Sequence, residues 1–323
     1  MGQTRMDETA RTRDALVIGG GPAGLVAAIA LGRACRTATV FDRERPGRSD
    51  RPQINYNYLG FPDGVAAAEL VALGRQQAKR FGAELVDCEV MRLHRDGARF
   101  LAERDDGALA AGWGVILATG VRDRWPRFPG YEQFIGVTMH WCIVCDGYEM
   151  QGQRVVLVGN DAETAETAMQ MQRYTPEVTV VTNTGALGMD AATVARLERC
   201  GIPLHVDRIA GATARAPGYF ATLELERGGS LPLDHLFSEQ GADPNAALAR
   251  SLGVATNDAG YVIVDTEGRT SLPRVYAAGD VTRLFAQQIA TAAHEGATAA
   301  SSLRYDLWQA EQRASEQIAK AGG

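Results

Sequence analysis

The 323-residue sequence contains no block of lysine or arginine, and its formal net charge is −6. A nucleic-acid partner is therefore not expected, because a grip on phosphates needs clustered positive charge. No apolar run approaches the roughly 20 residues that cross a bilayer, so no membrane partner is expected either. The first stretch, Met1 to Arg13, is polar and mixed in charge. It lacks the apolar core of a secretory signal and reads as a loose tail, which leaves a cytoplasmic location as the default expectation. Only five cysteines are present. In a reducing compartment they are not expected to form structural disulfides. Cys35, Cys88 and Cys200 stand alone and read as buried or idle thiols. No second Cys-x-x-Cys accompanies Cys142 and Cys145, so the sequence offers no four-ligand zinc set and no metal is expected. Short-period repeats and low-complexity segments are also missing.

What remains is an ordinary globular composition, 46% hydrophobic and 22% charged. At roughly 100–200 residues per domain the length predicts two domains or one large one. Ala15 to Ile18 is a short apolar run of the kind a buried parallel strand needs. The turn Gly19-Gly20-Gly21-Pro22-Ala23-Gly24 follows, then a small-residue helix over Leu25 to Leu31, then a strand over Thr37 to Phe41 that ends in Asp42. That is one strand–helix–strand unit. A helix is expected over 66–81 and a buried strand over Val115 to Ala118, ending in Thr119-Gly120. Residues 122–130 are rich in proline and charge and read as a linker.

A second unit of the same type follows: strand Arg154 to Val158, turn Gly159-Asn160-Asp161, helix Ala162 to Arg173, strand Val178 to Thr182. Beyond a break at Gly241 to Asn245, strands are expected at Tyr261 to Asp265 and Val275 to Ala278, and an alanine-rich helix from Gln287 to about Leu303. The predicted fold class is α/β, with two Rossmann-like dinucleotide-binding domains of three-layer ββα type, the second inserted in the first. The expected boundaries are 14–121 plus 246–323 for one domain and 122–245 for the insert.

Two features carry chemistry. In Gly19-x-Gly21-x-x-Gly24 the first glycine makes a tight turn, the second admits the pyrophosphate to the backbone, and the third lets helix and strand pack closely. The helix N-terminus then holds the anion, and Asp42 can accept hydrogen bonds from a ribose. The glycines do not by themselves separate FAD from NAD. The second feature is Cys142-Ile143-Val144-Cys145-Asp146. Two thiols at this spacing close a disulfide reversibly, one of them often acidified, and exchange proceeds through a mixed disulfide. Asp146 can move protons for the sulfurs, and His140 is a second candidate.

The pieces Gly19 to Gly24, Asn57-Tyr58-Leu59-Gly60-Phe61-Pro62, Ala118-Thr119-Gly120, Cys142 to Gly147, Ala277-Ala278-Gly279-Asp280 and Gln287 occur in the order and spacing of a known family. Over nearly all of residues 14–305 the sequence resembles the low-molecular-weight thioredoxin reductases. The resemblance implies FAD held by Gly19, Gly21, Pro22, Ala23, Gly24, Asp42, Thr119, Gly120, Gly279 and Asp280. Asn57, Gln287, Gln288 and Ile289 are expected to line the flavin. It also implies that Cys145 faces the flavin, that Cys142 meets the substrate, that Asp146 serves as acid–base, and that the protein is a homodimer.

The sequence departs from the family where NADPH should bind. Asp161 replaces the second glycine of the second turn, with Glu163 and Glu166 nearby. The strand after it runs Val181-Thr182-Asn183-Thr184-Gly185 without an arginine to grip a 2′-phosphate, and Ala286 stands where the family often has Arg. NADPH is therefore expected to be a poor direct donor. This pattern resembles divergent relatives fed by ferredoxin, relatives carrying a second flavin near the disulfide, and dithiol oxidases that pass electrons to oxygen. Trp141, Tyr148, Trp125 and Tyr56 are candidates for stacking on a flavin or apolar substrate, and His294 for a place near the flavin. The leading expectation is an FAD-dependent thiol–disulfide oxidoreductase acting on thioredoxin or a small molecule, with ferredoxin or reduced flavin as possible donors. An NADPH-dependent thioredoxin reductase, a small-molecule dithiol oxidase and a non-enzymatic redox sensor remain the alternatives.

Overall fold

The structure is a computed structural model and describes residues 12–43 and 47–321. Most of the expected tail Met1–Arg13 lies outside these residues. Its last member is not loose, because Arg13 opens the first strand, Arg13–Ile18.

The chain forms two compact units. One comprises the residues up to Asp50, Ala68–Arg122 and Pro244 onward; the other comprises Arg51–Ala67 and Asp123–Asp243. The segment 51–67 thus groups with the second unit rather than with 14–121. Gly136 shows the reason: a Cβ there would stand 3.1 Å from Arg51 Cβ and 3.3 Å from Pro52, so the segment packs on the second unit's own backbone.

The first unit is built on one seven-stranded sheet. Strand Arg13–Ile18 lies at its centre, flanked by Ala38–Asp42 on one side and Leu109–Leu117 on the other, both parallel to it. Leu16, Val17, Val115 and Ile116 are fully buried, as strands covered on both faces must be. Strand Leu109–Leu117 does two jobs. Its second half pairs in parallel with Arg13–Ile18 and Val275–Ala277, and its first half pairs antiparallel with Arg99–Arg104. On one face, helix Pro22–Arg33 packs against the C-terminal helix Ile289–Ala321. Their approach is close: a Cβ on Gly296 would lie 2.1 Å from Ala23 O.

The second unit holds a five-stranded parallel sheet in the order Met139–His140, His235–Ser238, Val155–Val158, Val178–Val181, Leu204–His205. Helices Ala162–Met171 and Ala191–Arg199 complete this unit's nucleotide-type fold. A three-stranded antiparallel sheet, Ile209–Ala216, Tyr219–Leu225 and Ser230–Pro232, is added to it. Phe220 from that sheet stacks on Phe134 at 3.8 Å between ring centroids.

The α/β class with two Rossmann-like units is as expected. Three details differ. Tyr261 to Asp265 is not a strand and makes only an isolated bridge, Thr256 to Val262. The C-terminal helix runs 33 residues to Ala321, well past Leu303. The antiparallel strands carry no signal in the sequence, because strands such as Val90–Asp96 are half polar and have no continuous apolar run.

Candidate active site

In the first unit the glycine turn is shaped for an anion. Gly19 has φ +113, and a Cβ there would collide with Ala118 O at 2.2 Å. Gly24 leaves no room for a side chain, since a Cβ would lie 1.9 Å from Gly19 O. Around Gly21 a Cβ would meet nothing within 4 Å. Gly21 is also the N-cap of helix Pro22–Arg33, with no side-chain hydrogen bond on the helix end and no acid in the first turn. An open, uncapped helix N-terminus attracts a phosphate. Pro22 and Ala23 form the first turn behind it. Asp42 ends the neighbouring strand and accepts from Gly20 N–H; burial outweighs that bond and the pull of Arg75, so its carboxyl sits above the usual range.

The other expected cofactor residues of this unit converge from far apart in sequence. Thr119 Oγ1 donates to Asn245 O at 2.7 Å, and Asn245 Nδ2 donates to Thr119 O at 2.9 Å. Gly120 and Gly279 both have positive φ, +63 and +78. Gly279 N–H donates to Glu295 Oε2 at 2.7 Å. Arg48 joins two of the predicted positions by donating to Asp280 Oδ2 at 2.8 Å and Gln287 Oε1 at 2.7 Å. Nothing in the local sequence singled out Arg48, whose partners lie more than 200 residues away. Ile289 begins the C-terminal helix and Gln288 immediately precedes it, its carbonyl accepting from Ala292 N–H. Ala286 holds a left-handed φ of +56 just ahead of them. His294 lies exposed on that helix, and Asn57 lies in the second unit. The residues present in the first unit fit FAD: an open cradle at Gly21, an uncapped helix end and an acid at the ribose position.

The second turn has the same topology and the opposite chemistry. Asp161 is the N-cap of helix Ala162–Met171, and its Oδ1 accepts from Thr164 N–H at 2.8 Å and from Thr164 Oγ1 at 2.7 Å. The helix end is therefore already capped by an anion belonging to the chain. Glu163 occupies the first turn. Glu239 follows strand His235–Ser238 and stands over Gly159, where a Cβ would come within 3.0 Å of Glu239 Cβ. Burial, reinforced by Glu163 and Asp161, pushes its carboxyl up to about 7. Asn160 fastens the following loop across the turn, donating to Thr184 Oγ1 and Ala186 O and accepting from Gly188 N–H. One arginine does reach that loop: Arg227 donates to Gly185 O at 3.0 Å. Glu166 pairs with Arg196 at 3.5 Å.

Cys142 and Cys145 form a disulfide with an S–S distance of 1.99 Å. Cys142 is the N-cap of the short helix Ile143–Asp146, and its carbonyl accepts from Cys145 and Asp146 N–H. This single turn brings the two sulfurs to one side. Val144 and Tyr148 are 65% and 73% exposed, so the disulfide turn carries an accessible apolar surface. Trp141 makes an edge contact with Trp125 at 5.4 Å, and Tyr56 is half exposed. His140 is buried, with Nδ1 3.5 Å from Asp146 Oδ2. Its Nε2 lies 3.1 Å from Nδ1 of His235, a residue without a sequence signal because it arrives from a strand 95 positions away. Cys35, Cys88 and Cys200 are free thiols, Cys88 buried. Among the described residues no cluster of His, Cys, Asp or Glu is arranged to hold a metal. No helix of the described residues is long and apolar enough to cross a membrane.

The comparisons agree with this architecture. The family model for pyridine nucleotide-disulphide oxidoreductases matches residues 13–298. The chain is similar to a thioredoxin reductase of Streptomyces clavuligerus, 30% identical and covering 95% of this chain and 97% of that protein. Among solved structures, HlmI matches with a TM-score of 0.90 at 25% identity, over 98% of this chain and 99% of that one. The atypical thioredoxin reductase TRi of Desulfovibrio vulgaris Hildenborough is 33% identical with a TM-score of 0.52, covering 92% of this chain and 99% of its own.

Proposed function

The chain belongs to the pyridine nucleotide-disulphide oxidoreductase family as a thioredoxin reductase-like FAD disulfide oxidoreductase, and we propose that it exchanges electrons with a dithiol or disulfide through Cys142–Cys145 without NADPH as its direct donor. The observation that carries this is the second turn. There Asp161 caps the helix end that a pyrophosphate would use, and Glu239 stands over the glycine beneath it. Two unit charges about 4 Å apart repel by roughly 4 kcal/mol at an effective dielectric near 20.

FAD, when bound, supplies a two-electron carrier. The chain's own residues do the rest. Gly19, Gly21 and Gly24 open the cradle, helix Pro22–Arg33 turns its N-terminus to the pyrophosphate, and Asp42 takes the ribose hydroxyls. Arg48 fixes Asp280 and Gln287 before the cofactor arrives. Gln287, Gln288 and Ile289 would line the flavin in this reading. Cys142 bonds the substrate sulfur, Cys145 releases it, and Asp146 holds the proton that moves between them. The substrate is thioredoxin or a small dithiol, the donor in the reducing direction is ferredoxin or a reduced flavin, and the functional form is a homodimer.

The test is anaerobic titration of the oxidised flavoprotein. A dithiol should bleach the flavin, and NADPH at micromolar concentration should not. Rapid bleaching by micromolar NADPH would sink the proposal in favour of the second reading, an NADPH-dependent thioredoxin reductase. That reading is favoured by the names of the matched relatives and by Arg227 beside Gly185.

A further inference from the structure

A chain of four side chains leads away from the disulfide into the second unit. Asp146, which follows Cys145 directly, faces His140 Nδ1 at 3.5 Å. His140 Nε2 faces His235 Nδ1 at 3.1 Å, and His235 Nε2 faces Gln153 Oε1 at 3.1 Å. The far end fixes the direction of every bond. Gln153 Nε2 donates to Glu149 O at 3.4 Å, so the amide oxygen is the atom turned toward His235. An amide oxygen only accepts, so His235 carries its proton on Nε2 and presents a bare Nδ1. His140 must then donate from Nε2, so the neutral imidazole has its bare Nδ1 on the side of Asp146, where it can accept a proton whenever Asp146 carries one.

We propose that His235 is a positioning residue for thiol–disulfide exchange: by accepting from His140 Nε2–H it holds His140 in the one tautomer whose Nδ1 can take a proton from Asp146. The proposal rests on the reading of Cys142–Cys145 as the reacting pair. In the dithiol direction a substrate thiol loses its proton as its sulfur bonds to Cys142 Sγ. The Cys142–Cys145 bond breaks, and its electron pair goes to Cys145. The second substrate thiol loses its proton and attacks the mixed disulfide, releasing Cys142 and closing the substrate disulfide. Two thiols have become a disulfide, one disulfide has become two thiols, and two protons have moved from the substrate to the cysteines. In this proposal Asp146, next in the chain to Cys145, carries each proton and His140 Nδ1 shares it.

The surroundings keep His235 neutral in this role. Burial, with His140 beside it, pushes its imidazole down to about 4. Asp234 opposes that and Arg215 adds to it, while Arg154 and Arg215 both hold Asp234. His140 itself packs on the Phe237 ring at 5.4 Å, with Asp146 at its Nδ1 and His235 at its Nε2. A histidine that stays neutral across physiological pH is a steady hydrogen-bond acceptor rather than a competing base.

The experiment compares wild-type holoenzyme with His235→Phe and His235→Asn. Asparagine can place its Oδ1 near the position of the imidazole Nδ1, while phenylalanine offers no acceptor. Disulfide opening by dithiothreitol is followed across pH by counting thiols after a quench, and nitrogen-15 NMR reports the histidine tautomers. Phenylalanine should slow opening about tenfold near neutral pH. It should also move the controlling ionisation by about one pH unit and scramble the His140 tautomer, and asparagine should restore all three. A wild-type pH profile in His235→Phe, or equal impairment in both variants, would overturn the proposal. Flavin bleaching in the same samples judges the functional reading separately, because the thiol count does not depend on it.

Discussion

Replacing Glu239 by glutamine should flatten the pH dependence of stability between about pH 5 and 8. Glu239 sits beside Gly159 with Asp161 and Glu163 nearby, and burial with those neighbours raises its carboxyl from 4.5 to about 7. A raised carboxyl means the native state keeps a proton that the unfolded chain gives up. Its stabilising effect is complete below pH 4.5, shrinks as pH rises, and is gone above about 7. At about 1.4 kcal/mol per pH decade the span corresponds to roughly 3 kcal/mol. Glutamine matches the protonated acid in shape and charge, so it should equal wild type near pH 4.5 and exceed it by about 3 kcal/mol at pH 8. For a chain of this length that is a Tm difference of about 4 °C. Matched thermal scans of the two holoproteins from pH 4.5 to 8.5 provide the measurement, and the difference between them is the quantity to follow. A constant difference across that range would show that Glu239 is not the proton-binding group over the second turn.

Other perturbations test the remaining links. Asp161→Gly should strengthen NADPH binding at least tenfold, read as nucleotide-dependent quenching of flavin or tryptophan fluorescence; unchanged affinity would remove Asp161 as the obstacle. Cys145→Ser should abolish flavin bleaching by dithiols while leaving FAD content at wild-type level, and retained bleaching would move the electron path elsewhere. Gly296→Ala sets packing against helix propensity. The added methyl meets Ala23 O at 2.1 Å, so a loss of about 1–3 kcal/mol is expected despite the better helix former, and a gain in Tm would contradict the close helix contact.

The sequence by itself determined what depends on neighbouring residues. A glycine turn needs its glycines within six positions, so Gly19, Gly21 and Gly24 were legible, as was Asp42 at the end of the next strand. The pair Cys142–Cys145 fits into one helical turn, and the two residues between the cysteines already brought the sulfurs together. Asp161 was equally plain, because it stands inside the second turn where a glycine would be expected; its capping of the helix came from the structure. The buried parallel strands announced themselves as apolar runs. The half-polar antiparallel strands did not, and Tyr261 to Asp265 looked like a strand only because its composition suits one.

Tertiary structure alone decided the long-range pairs. Arg48 meets Asp280 and Gln287 across more than 200 residues, and His235 meets His140 across 95. Glu239 is separated from Gly159 by 80 positions and becomes a proton-binding group only because the parallel sheet sets their two strands side by side. A side chain's charge state and tautomer depend on what surrounds it in space. A parallel sheet brings together strands separated by long crossovers, so those surroundings cannot be read along the chain.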